Sequence, residues 1–207
     1  RDTAIILRKR GIAMQKAVSE GRGSMAAVLG LTSETVNEFI ISSKCNNHLI
    51  QVANDNDPSQ VVISGEKKEV EKFSNFLKEK NAKRIISLPV SAPFHSPLMK
   101  PAALIMESEL REVNFSSPIV PIIQNVDLSI LGSTEGLVDR LVKQICGTVR
   151  WRESLIKMAD EYGIKNFFEI GPGKILASTV KRTIPDANVL SVGLAPQIDQ
   201  ALEMISD

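Results

Sequence analysis

Ser91-Ala92-Pro93-Phe94-His95-Ser96-Pro97-Leu98-Met99-Lys100-Pro101-Ala102 stands where the rhythm of the chain changes. It follows a strand-like run, Arg84 to Val90, and precedes a helix-like one from roughly Leu98 to Val113. Only two histidines occur among 207 residues, and His95 is one of them. Pro93 and Pro97 each fix their own φ angle, so the backbone around the ring is stiff. Imidazole titrates near neutrality, which makes a rigidly held histidine a candidate base. A helix-entry histidine satisfied by backbone is the plainer reading of the same spacing.

Upstream of this junction the pattern is compact. A helix over Asp2 to Val18 is broken from the apolar run Met25-Ala26-Ala27-Val28-Leu29 by Gly21-Arg22-Gly23. Val36, Phe39 and Ile40 give a helix from about Ser33 to Ser42. A strand near Leu49 to Ala53, an Asn/Asp/Pro turn and a strand Gln60 to Ile63 follow. Ser64 is placed to cap a helix from Glu66 to Lys80, striped by Val70, Phe73, Phe76 and Leu77. With the strand ending at Val90, residues 24 to 88 spell β-α-β-β-α-β. That is the ferredoxin-like motif, an antiparallel sheet backed by two helices.

Downstream, strands and helices alternate. Ile119 to Gln124 reads as a strand, Glu135 to Ile145 as a helix, and Trp151, Leu155, Met158, Ala159 and Tyr162 as the stripe of another. Lys165 to Ile170 is a buried strand, a Gly-Pro-Gly turn leads into a helix to Arg182, and Val189 to Val192 precedes a helix over Gln197 to Ile205. Repeated strand-helix units predict a parallel sheet with helices on both faces.

Composition excludes several classes. The chain is 43% hydrophobic and 24% charged, as a globular domain is. Lys plus Arg number 25 against 24 Asp plus Glu, so bulk charge argues for no nucleic-acid partner. Aromatic residues at 4% offer no base-stacking platform. No apolar run approaches the ~20 residues of a membrane span. Cys45 and Cys146 lie in no metal-ligand spacing and read as free thiols of a reducing compartment, which predicts a cytoplasmic location. His48, among Asn46, Asn47 and Leu49, reads as an exposed loop residue. Gly171-Pro172-Gly173-Lys174 lacks the spacing of a phosphate loop and reads as a structural turn. No metal or cofactor is called for.

Several blocks together carry a resemblance. The His95 segment, Arg10-Gly11-Ile12-Ala13-Met14-Gln15, Asn54 to Gly65, Gln124-Asn125-Val126-Asp127, Gln144 to Trp151 and Glu169 to Lys174 stand in one order along nearly the whole chain. In that order they resemble the malonyl-CoA:acyl carrier protein transacylases and the related acyltransferase domains. The resemblance implies an incomplete α/β-hydrolase-like large domain, residues 1–21 and 89–207, interrupted by a ferredoxin-like α+β subdomain at 22–88. The partial sheet of that large domain would then present an uncovered edge. It implies malonyl-CoA and acyl carrier protein as partners, with His95 as base and the main-chain carbonyl of Gln144 as its orienter. It implies Arg10 as the ligand of the malonyl carboxylate, through a guanidinium fork suited to that group. Met14 matches a pocket residue, and a core methionine is its alternative. Phe94 matches a position whose bulk excludes an α-methyl, a discrimination of ~1–3 kcal/mol. Asn54 and Asn56 match asparagines near the thioester entrance, or else simply form the turn beside Pro58. Lys83, Arg84, Lys181 and Arg182 are candidates for docking an acidic carrier.

The nucleophile such an enzyme needs is a serine in a Gly-His-Ser-x-Gly elbow, and no Gly-x-Ser-x-Gly occurs in these residues. The expectation is therefore the C-terminal two-thirds of a transacylase, inactive alone. An acyltransferase piece of a polyketide synthase and a non-catalytic ferredoxin-like binding module are the alternatives. The residues encoded directly upstream of Arg1 discriminate among them.

Overall fold

A computed structural model describes residues 2–43, 45 and 48–206, so Asn46 and Asn47 lie outside the described residues. The chain divides after Arg150 into two compact units. In the first, α1 (Asp2–Lys16) precedes β1 (Gly23–Leu29), α2 (Ser33–Ser42), β2 (Ile50–Asp57), β3 (Gln60–Glu66), α3 (Lys67–Glu79) and β4 (Arg84–Ser87). The four strands form one sheet in the order β2-β3-β1-β4, every neighbouring pair antiparallel.

Alternation along the strands gives the sheet two apolar faces. Ala26 and Val28 of β1, with Val61 and Ile63 of β3, face α2 and α3, where Val36, Ile40, Val70, Phe73 and Leu77 close the core. Met25, Ala27 and Val62 point the other way and meet Leu88, Val90 and Phe94. A sheet coated on both sides orders whatever crosses its second face, and here that is the segment leading to His95. Thr32 caps α2 through its hydroxyl, which accepts from Thr35 N at 3.3 Å.

After a single 3₁₀ turn at Pro97–Met99 come α4 (Lys100–Arg111), β5 (Ile122–Ile123), β6 (Ile130–Leu131) and α5 (Leu137–Cys146). Helices α1, α4 and α5 share a core built on Met14, Ala102, Met106 and Ile145. The second unit holds α6 (Trp151–Asp160), β7 (Asn166–Ile170), α7 (Ile175–Thr183), β8 (Asn188–Val192) and α8 (Pro196–Ser206). Its core gathers Leu155, Val180 and Ala187, with Trp151 and Met158 against them. No helix among the described residues is long and apolar enough to cross a membrane.

Several elements depart from their sequence expectation. Asn54 to Asp57 are not a turn: β2 runs through them, and only Pro58 and Ser59 turn, with the Asp57 carboxylate accepting from Ser59 N at 2.9 Å. Sheet pairing overrides the turn preference of Asn and Asp, with register shifts between Val52 and Asn54 and between Asp55 and Asp57. Ser64 does not cap α3; it lies buried inside β3, because pairing with β1 continues to Gly23 opposite Glu66. Strand β4 stops at Ser87, three residues early. Of Ile119 to Gln124, only Ile122 and Ile123 pair, in a hairpin with the unforeseen β6; Pro118 and Pro121 lack the amide protons a longer ladder needs. Tyr162 falls beyond α6 and is half exposed. Among the described residues, one parallel pair, β7 with β8, carries the expected parallel sheet.

The Gly171-Pro172-Gly173 turn is held by a charge. Both glycines take positive φ, 136° and 104°, open to glycine without penalty. This turn brings the start of α7 back onto β7, where Leu176 N and Ala177 N donate to the two carboxylate oxygens of Glu169 at 3.1 and 2.9 Å. A carboxylate there satisfies two orphan donors and the positive end of the helix dipole. Glu169→Ala is expected to lower stability by about 1 kcal/mol, read as a shift in urea midpoint; an unchanged midpoint would show that water replaces the cap without loss.

Candidate functional site

His95 is delivered by a tight, internally bonded loop. Phe94 N donates to Ala92 O at 3.0 Å, and the buried Ser96 hydroxyl donates to Pro93 O at 2.7 Å. Between them His95 adopts φ 54°, a left-handed conformation uncommon outside glycine, although asparagine, aspartate and histidine enter it more readily than other residues. The loop is seated against Gly23 at the head of β1, where an added Cβ would stand 2.2 Å from Pro93 Cδ and 2.9 Å from Pro93 N. Only a residue without a side chain lets the loop lie so close to the sheet. Phe94 is half-buried and packs against both the second face of the sheet and the core of α1, α4 and α5.

The ring is oriented by main chain. His95 Nδ1 lies 2.9 Å from Gln144 O. A carbonyl can only accept, so Nδ1 carries the proton and Nε2 keeps the free lone pair when the ring is neutral. The Gln144 side chain turns away and donates to Gly147 O at 3.0 Å, binding the end of α5 to the chain that follows. Thr148 then donates to Val52 O at 2.6 Å, and Val149 bridges to Asn54, stitching this end to the edge of β2.

Burial holds the imidazole below its usual pKa, and the positive charge of Arg10 pushes the same way, while the Gln144 carbonyl works against both. Arg10 is itself half-buried, and desolvation lowers its pKa. Among the described residues no carboxylate pairs with it. Arg10 and Gln144 stand on the wall of a cavity of about 620 Å³, lined by apolar side chains such as Ile6, Leu7, Met106 and Leu141 and also by the polar Asp2, Thr3, Asn114 and Ser116. His95 is not part of that lining. The arrangement thus sets a base whose neutral form is favoured within electrostatic reach of a desolvated cation, groups suited to deprotonating a hydroxyl and to holding an anion.

The remaining sequence candidates fall less centrally. Met14 is 4% exposed and belongs to the core beneath Arg10's helix, not to the cavity wall. Asn54 and Asn56 sit on β2, and neither joins the hydrogen bonds around His95. His48 is exposed. One residue went unnoticed in the sequence: Gln51, whose amide donates to His95 O at 2.6 Å and Cys146 O at 2.8 Å. Its only signal was a polar position in a strand whose two faces are both covered. No group of three His, Cys, Asp or Glu among the described residues is placed to hold a metal ion.

The acyl transferase domain model matches residues 2–204, and the chain belongs to that family. It is similar to the malonyl CoA-acyl carrier protein transacylase of Bacillus subtilis, 38% identical over 207 residues, 100% of this chain and 65% of the relative. Among solved structures it matches an acyl-carrier-protein S-malonyltransferase from Bartonella henselae with TM-score 0.91 and 45% identity, covering 100% of this chain and 65% of that one. Another, described as a type II polyketide synthase acyl-carrier protein in complex with its malonyl-transacylase, matches with TM-score 0.91 and 36% identity over 96% of this chain and 64% of that one. The chain thus spans about 65% of the length of the relatives it matches.

The depressed imidazole has a sign that can be tested. The unfolded chain binds a proton at His95 near pH 6.5, above the folded value, so the unfolded state holds more protons as acid is added. Stability from this residue is present above about pH 6.5 and is lost as pH falls through the folded pKa. Asparagine tolerates the left-handed backbone, so His95→Asn should flatten the fall in urea midpoint between neutral and mildly acidic pH. Equal slopes for parent and variant would show that the ring titrates normally.

Proposed function

We propose that the whole protein moves a malonyl group from coenzyme A to acyl carrier protein through a seryl ester, and that this chain supplies its base and its carboxylate clamp. The observation that carries the reading is the His95 ring held through Nδ1 on the Gln144 carbonyl, with burial and then the charge of Arg10 favouring its neutral form. Family membership and the activity named for the relatives support it.

In the proposed reaction His95 Nε2 takes the serine proton as the oxygen attacks the thioester carbonyl. The imidazolium then returns that proton to the departing coenzyme A thiolate. The second half runs in reverse order: His95 deprotonates the carrier thiol, which attacks the ester, and the serine oxygen recovers the proton. A carbonyl orienter stabilises imidazolium less than a carboxylate would. That suits exchange between thiols, which leave readily. Arg10 pairs with the free malonyl carboxylate through two parallel donors, and Phe94 limits the space beside the α-carbon. Met14 backs the arginine helix from the core, and Asn54 and Asn56 serve the thioester entrance. Lys83 and Arg84, at the start of β4, are proposed to receive the acidic carrier. No cofactor is required.

The proposal extends to architecture. Residues 22–88 form a ferredoxin-like insert, with 1–21 and 89–207 belonging to an α/β-hydrolase-like domain, a division supported by the β-α-β-β-α-β order and the antiparallel sheet. The nucleophile lies outside these residues, the protein is cytoplasmic, and the carrier serves fatty acid synthesis. A carrier of polyketide synthesis is the second reading, favoured by the solved relative described with such a partner.

Radiolabelled malonyl-CoA should leave a covalent malonyl adduct on the whole protein, formed about 10²–10⁴-fold more slowly in His95→Asn. Absence of an adduct in the parent would favour a binding module, and equal labelling in the variant would remove His95 as base. Arg10→Ala should abolish the preference for malonyl- over acetyl-CoA, because only malonyl offers a carboxylate. A preserved preference would place the clamp elsewhere.

A further inference from the structure

Gln51 lies in β2, yet its side chain serves a different part of the unit. Its Nε2 donates to His95 O at 2.6 Å and to Cys146 O at 2.8 Å. A primary amide has two protons to give, and both acceptors are carbonyls, so the nitrogen must face them. The two acceptors stand on opposite sides of the bond that orients the ring. One belongs to the residue that bears the imidazole. The other is the last residue of α5, two positions beyond the Gln144 carbonyl.

Two bonds nearby act within a single segment: Ser96 Oγ to Pro93 O within the loop, and Gln144 Nε2 to Gly147 O at the helix end. Gln51 joins the two segments through one group. Each segment needs such a tie for its own reason. The loop holds His95 at φ 54°, a conformation that persists only where its surroundings over-determine it. The Cys146 carbonyl is among those a helix end leaves without an intrahelical donor. We propose that Gln51 is a positioning residue: it fixes the His95 backbone against the end of α5, so that Nδ1 stays on the Gln144 carbonyl and Nε2 presents its lone pair. The consequence for rate rests on His95 being the base, but the geometric claim does not.

The test uses nitrogen-15 histidine labelling of the whole protein, with the His95 signals identified by their loss in His95→Asn. The parent His95 should be the Nδ1-protonated tautomer at neutral pH. Gln51→Met keeps the reach of the side chain without its donors. It is expected to move His95 toward the Nε2-protonated form, with His48 unchanged as internal reference. Parent-like His95 nitrogens in the variant would overturn the proposal. A second measurement needs no substitution: the Gln51 side-chain protons of the parent should exchange with solvent at least about tenfold more slowly than those of a free glutamine amide. Exchange at the free rate would overturn it equally. In the whole protein Gln51→Met should lower kcat by about ten- to a hundredfold with KM little altered. A kcat loss with an unshifted tautomer counts against positioning. A shifted tautomer in a protein whose parent transfers no malonyl upholds the positioning and sinks the transferase reading instead.

Discussion

One hydrogen bond sets the terms for everything around it: the Nδ1 proton of His95 on the carbonyl of Gln144. It links a loop to a helix 49 residues later. The loop is braced from below by the second face of an antiparallel sheet, through Phe94 and the contact of Pro93 with Gly23. The helix end is braced by Thr148 and Val149 on the edge of β2. The sheet therefore acts as a jig, gripping both parts that must meet.

That jig explains why the sheet's details matter to chemistry. The register shift after Val52 lets β2 pair with β3 on one side and offer Ala53 O and Asp55 N to Val149 on the other. The orienting group is main chain, so the bond is governed by where the backbone runs rather than by which side chain stands at position 144.

Much of this was legible in residues. A scarce histidine between two prolines marked the junction, and the apolar stripes of α2 and α3 gave the helices that coat the sheet. The charge of Arg10 is felt at His95, although the two stand on elements far apart in sequence. The departures share one cause: strand pairing overrides local preference. Asn54 to Asp57 look like a turn by composition, yet strands β3 and Val149 hold them extended. Ser64 looks like a cap, yet β1 claims it. Gln51 was invisible because a polar residue between Ile50 and Val52 reads as the solvent side of a strand, and only the fold shows that side covered.

The sheet has two flanks, and both are blunted. On one, β2 is bulged twice and partly occupied by Val149; on the other, β4 spans four residues, beginning at Arg84 directly after Lys83. Long, flat, unpaired flanks invite neighbouring chains to add strands, whereas short, kinked or cationic ones repel them. The bulges and the short, cationic flank thus make both edges of this sheet poor templates for an added strand.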